Sequence, residues 1–126
     1  MTLSLEEMKA NRRKWVEALR SGEFKQATGT LHSPAGGGYC CLGVAASILG
    51  IPDEDLMPGS PGVEYAYSQV QNSLGLCDAL GSFGYDRHEG LARLNDDGKL
   101  FDTIANIIER EPPGLFIDST PTGSAS

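Results

Sequence analysis

No apolar run in this chain approaches the ~20 residues that a membrane-spanning helix needs. Its amino-terminal MTLSLEEMKANRRKW also lacks the hydrophobic stretch of a secretory signal, so a cytoplasmic, non-membrane protein is expected. Positive charge is scarce as well: 10 Lys and Arg stand against 17 Asp and Glu, a net charge of −7. That balance argues against long nucleic acid as a partner, because a duplex binder needs many phosphate-neutralising cations. Three cysteines, two of them adjacent, suggest no disulfide framework and suit a reducing compartment. Histidine is limited to His32 and His88, which leaves thiol or hydroxyl chemistry almost without a general base. There is no GxxxxGK[ST] phosphate loop. Vicinal cysteines do not reproduce the CxxC hairpin of a zinc site, and Arg93 stands where a calcium loop would need an acidic ligand. No cofactor or metal is therefore expected, and the residues favour a binding role over a catalytic one.

At 126 residues the chain is long enough to bury roughly two-thirds of its unfolded surface, so one core and one domain are expected. Ser4 and Glu7 form a capping box, Met8, Trp15, Val16 and Leu19 follow at helical spacing, and Gly22 ends the pattern. A first helix over 5–20 follows. Phe24 to His32 is rich in Thr and alternates weakly around Gly29, which predicts a short β-hairpin or two extended arms. Cys41 to Leu49 is apolar on nearly every side and closes at Gly50, the pattern of a buried central helix. Val63, Tyr67, Val70 and Leu74 predict a third helix. Residues 77–87 hold two glycines and two aromatics without a clear period and read as a structured loop with one short strand at most. A helical turn or two over 89–94 comes next, and Leu100, Ile104, Ile107 and Ile108 define a last helix over 99–109. The fold class is α+β, mainly helical: a globular domain over 1–111, then a flexible tail over 112–126, unless Leu115, Phe116 and Ile117 dock.

The chemistry-bearing stretch is AGGGYCCLGVAA, where glycines run into the start of an apolar helix. Helix starts present free N–H groups and partial positive charge, so an anion could rest against Gly37 and Gly38, with Lys25 adding charge. Gln26 and Asn95 could read a base or ribose edge, and Tyr39 could stack on a base. The same helix start would acidify a thiol, making Cys40 or Cys41 a nucleophile with His88 and Asn95 or Asp96 as partners. Without such a base, both cysteines read as small buried hydrophobes. Asn95, Asp96 and Asp97 read first as caps of the last helix. The Arg12, Arg13, Lys14 cluster lies within a helix and reads as solvated surface.

WVEALRSGEFKQATGTLHS, YCCLGVAA and GLARLNDDGKLFDTIANIIE, in that order, resemble small proteins of tailed bacteriophages and prophages that share a CCLGV block and a carboxy-terminal LNDxG-helix block. By that resemblance Lys25, Gln26, Cys40, Cys41, Asn95 and Asp96 are the matching polar or reactive positions, while His88 lies outside the pattern. The resemblance implies a setting, the host bacterial cytoplasm, and carries over no catalytic residue. In that setting the expected function is counter-defence by sequestering a small anionic nucleotide-derived immune signal. The ligand-binding residues would be Lys25, Gln26, Gly37, Gly38, Tyr39, Cys40, Asn95 and Asp96. A site near a subunit interface of a homo-oligomer would give so short a chain enough concavity. The alternatives are a protein-binding inhibitor of a host defence or CRISPR component, and a cysteine-dependent hydrolase.

Overall fold

A computed structural model describes residues 3–84 and 89–118. It shows a small, mostly helical α+β domain. Helix α1 (Leu5–Ser21) begins at the Ser4/Glu7 capping box, with both reciprocal hydrogen bonds formed, and ends at Gly22 in the left-handed region, φ 80°. Helix α2 (Cys41–Ile48) lies at the centre, with residues 41–46 all buried. It stops one residue before the expected end because Leu49 acts as its carboxy-terminal cap. After a 3-10 turn at Asp53–Asp55 come α3 (Val63–Leu74), the strands β1 (Ser82–Phe83) and β2 (Glu89–Gly90), α4 (Leu91–Asp96) and α5 (Phe101–Arg110). Among these described residues no helix is long and apolar enough to cross a membrane.

Helix α1 packs on α5, α2 and α3, and α2 also packs on α3 and α4. The indole of fully buried Trp15 donates to the Cys41 carbonyl at 2.8 Å, which ties α1 to the start of α2. Gly43 is where the chain crosses α2: a Cβ there would stand 1.9 Å from the Leu31 carbonyl oxygen. Only glycine permits that approach.

The hairpin expected between Phe24 and His32 is not the one that forms. Residues 26 and 32 instead each bridge to Tyr39, the first parallel and the second antiparallel. The extended arms pair with the segment that leads into α2, because that segment brings free N–H and C=O groups to the core's edge. Tyr39 N donates to the Lys25 carbonyl at 2.7 Å and Ala27 N donates to the Tyr39 carbonyl at 2.9 Å. The antiparallel pair of the fold is β1 with β2, where Ser82 faces Gly90 and Phe83 faces Glu89.

Two expectations about charge and order change. Arg12 lies on the buried stripe of α1 with only 4% of its surface exposed, not on the solvated face. Its Nε donates to the Leu74 carbonyl at 2.6 Å, its Nη2 to Asp118 at 2.8 Å, and its guanidinium stacks 3.8 Å from the Phe116 ring centroid. The proposed tail boundary at 112 moves accordingly. Leu115 and Phe116 are fully buried, Cys77 N donates to the Leu115 carbonyl and Ile117 N to the Gly75 carbonyl. Burying those two side chains offsets the ordering entropy that the Pro- and Gly-rich composition emphasised. The remaining part of the expected tail, 119–126, lies outside the described residues.

Candidate functional site

The start of α2 was the expected anion site, and the chain itself occupies it. Cys40 is the N-cap, and its sulfur accepts from Gly43 N at 3.4 Å. The Leu42 N–H interacts with the same sulfur. Asn95, fully buried, accepts from Cys41 N at 3.2 Å and from the Gln26 amide at 3.0 Å, and donates to the Ala27 carbonyl at 2.7 Å. Gln26 also donates to the Lys99 carbonyl at 2.6 Å. Gln26 and Asn95 thus form a cross-link among four chain segments. The Asn95 amide and the Gln26 NH₂ group are spent on the fold.

Asn95 and Asp96 therefore do not cap the last helix. They end α4, and the N-cap of α5 is Leu100, which makes no side-chain capping hydrogen bond. Packing α4 against α2 aims the Asn95 amide at the α2 start, a long-range contact that local spacing cannot show.

The glycine loop is likewise closed on itself. Gly37, φ 72°, donates to the Ser33 carbonyl, and Ser33 N donates to the Gly38 carbonyl at 2.8 Å. A Cβ at Gly38 would meet Ala27 Cβ at 3.0 Å and the Lys25 carbonyl oxygen at 3.1 Å, so this glycine serves the approach of two segments. Lys25 is exposed, with its Nζ 3.8 Å from where a Gly36 Cβ would sit. The Tyr39 ring stacks on His32, centroids 4.3 Å apart at 28°, and meets Phe24 edge-on at 5.4 Å. Its hydroxyl donates to Asp53 at 2.9 Å. Burial first, and then Asp53, push the Tyr39 phenol up. One face of the ring is thus taken by His32.

Cys40 and Asp96, by contrast, meet in an open feature. A cleft of about 320 Å³ lies between residues 29–30, α3 and α4, with Cys40 and Leu42 at its floor and Tyr67, Leu80, Arg93 and Asp96 around it. Asp96 accepts from Gly29 N at 2.8 Å through one carboxylate oxygen. Tyr67, placed on the core stripe of α3 by its spacing, turns a half-buried ring toward the cleft, and no hydrogen bond engages its hydroxyl among the described residues. Burial is the main cause that pushes the Tyr67 phenol up, with Cys40 and Asp96 adding to it. Tyr67 and Arg93 are the functional candidates that sequence reasoning missed. The one signal for Tyr67 was a hydroxyl on an otherwise apolar stripe.

The thiols are poor nucleophiles. Burial pushes Cys40 up despite the helix N–H groups, and pushes fully buried Cys41 well up. Desolvation outweighs the helix start because a thiolate here would give up its water for only a few N–H contacts. His32 is held with Nδ1 2.9 Å from the Gly38 carbonyl and Nε2 3.9 Å from Asp53. His88, the other expected base, lies outside the described residues.

The family model described as a domain of unknown function, DUF8296, matches residues 7–77, more than half of the chain, and the protein belongs to that family. The matched stretch holds α1 from its third residue on, α2, α3, Cys40 and Tyr67, and stops short of Arg93 and Asp96. No curated protein and no solved structure matches the chain.

Proposed function

We propose that this protein is a non-catalytic binder of a small nucleotide-derived ligand, seated in the cleft between α3 and α4. The observation that carries the reading is the convergence of Cys40 and Asp96 with Tyr67 and Arg93 around an apolar floor. A concave, mostly apolar site with a few placed polar groups is the form small-molecule sites take. The raised thiols support binding over cysteine chemistry, since a buried protonated sulfur is a packing group. In the phage setting that the sequence resemblance implies, holding such a ligand would remove a host immune signal from circulation.

Calorimetry against nucleosides, nucleotides, cyclic dinucleotides and ADP-ribose derivatives tests the reading. Binding by at least one member is expected, weakened about tenfold or more by Tyr67→Ala, since stacking on an aromatic ring contributes ~1–3 kcal/mol per base. Lys25→Ala, outside the cleft, should leave it within twofold. Absence of binding across the panel, together with a stable complex with a host protein, would replace the reading by protein inhibition.

A further inference from the structure

The cleft's own chemistry selects one edge of a ligand. The N–H groups at the α2 start, the natural partners of a phosphate, already have acceptors in Asn95 and Cys40. What Asp96 and Tyr67 offer instead is a carboxylate and a neutral phenol. Asp96, which lines the cleft, uses one oxygen for Gly29 N, and an ionised carboxylate has about four lone-pair sites in all, so the Gly29 contact uses only a small part of its accepting capacity. The Tyr67 hydroxyl has no partner among the described residues and can donate or accept. Below them lie Cys40 and Leu42, an apolar floor against which a flat ring can rest. At about 320 Å³ the cleft sits at the small end of the ~300–1,000 Å³ range of ligand pockets. That is room for one ring system. The net charge of −7 also disfavours burying a phosphate.

Resting on the binding reading above, we infer that the cleft recognises a planar fork of N–H donors, the edge that guanine and a guanidinium group share, through the Asp96 carboxylate with Tyr67 beside it. A carboxylate accepts such a fork through two parallel charge-assisted hydrogen bonds, which fix the orientation of the ring as well as holding it. Any phosphate of the ligand then points out of the cleft.

The experiment is calorimetry of the full chain with guanosine, inosine, guanosine monophosphate and agmatine, repeated on Asp96→Asn. Inosine lacks the exocyclic amine and so carries half of the fork. Asp96→Asn keeps an acceptor for Gly29 N and places an N–H₂ where the second carboxylate oxygen was. Guanosine should bind at least tenfold more tightly than inosine, and Asp96→Asn should weaken guanosine at least tenfold, as expected where a site built for a donor meets a ligand or partner that lacks the match. The guanosine and inosine comparison needs no variant, so the test survives a poorly folded Asp96→Asn. Binding of agmatine alone, lost in Asp96→Asn, would sustain the fork and end the nucleotide reading. Binding that grows tenfold with the phosphate and ignores Asp96→Asn would overturn the fork and keep the nucleotide reading. Failure of all four ligands would end both.

Discussion

The start of α2 and the cleft beside it hold the same kinds of residue and treat them in opposite ways. At the helix start each polar group has a partner within the chain: Asn95 serves Cys41, Gln26 and Ala27, and the Cys40 sulfur serves Gly43. In the cleft, a few residues away, the Tyr67 hydroxyl has none among the described residues, and Asp96 spends a single oxygen on Gly29. A buried donor or acceptor left unmade costs free energy, so satisfied polar groups mark construction and unsatisfied ones at a concave surface mark a place for something else. Polarity and position near a helix start do not separate these two roles. Partner counting does.

The most severe way to break the helix-start region is to load α2 itself. Val44→Asp places a charge at a fully buried position and should cost about 4 kcal/mol or more through desolvation, enough to unfold much of the population. Thermal melting followed by circular dichroism checks it, and a melting point within a degree or two of the parent would contradict a buried α2. Gly43→Ala should be nearly as damaging, because the Leu31 carbonyl occupies the space of the new methyl.

Next in size is Asn95→Ala. It leaves the Cys41 N–H, the Gln26 amide and the Ala27 carbonyl with one partner fewer, and an unmade buried hydrogen bond costs about 1–3 kcal/mol. A loss of about 3 kcal/mol in urea unfolding is expected. A loss under about 0.5 kcal/mol would mean that the cross-link is dispensable.

The Arg12 to Asp118 contact should be smaller and pH-dependent. The Arg12 hydrogen bond holds the Asp118 carboxyl below its usual range. A carboxyl depressed in the folded state contributes stability above its unfolded value of about 3.9, and that contribution is lost as pH falls through the lower folded value. Asp118→Asn should therefore cost about 1 kcal/mol at pH 7, discounted for the solvent exposure of the carboxylate. The gap between variant and parent should close as the pH is taken below about 4. A gap constant over that range would show that charge is not what docks the carboxy-terminal segment.

The smallest effect sharpens the contrast most. Tyr67→Phe removes a hydroxyl with no partner among the described residues, so stability should stay within about 0.5 kcal/mol. Removing the Asn95 amide removes a hub. Equal losses for the two variants in one unfolding series would erase the distinction between the helix start and the cleft.

Local chemistry was legible where neighbours in sequence supply it. The capping box and Gly22 are contacts within a helical turn, and α1 and α3 begin and end close to where spacing puts them. The apolar run of α2 announced its burial because no face of it could be left in water. Cys40 and Asp96 were legible as polar or reactive positions, yet not as neighbours across one cleft. Asn95 is the sharper case: its spacing before Gly98 suggested a local cap, whereas its amide is used 54 residues away at Cys41 N. Arg12 misled for the same reason, since a charged side chain reads as surface until Asp118, the Leu74 carbonyl and Phe116 are brought round it.

By itself the sequence determined the helices, the capping box and glycine stop of α1, the buried character of α2 and the mainly helical α+β class, because those follow from propensity, period and hydrogen bonds between near neighbours. Which polar groups the fold consumes, which it leaves open in a cleft, and that Leu115 and Phe116 belong to the core were decided only in three dimensions. Each depends on segments dozens of residues apart meeting at hydrogen-bonding distance, and no local rule contains that distance.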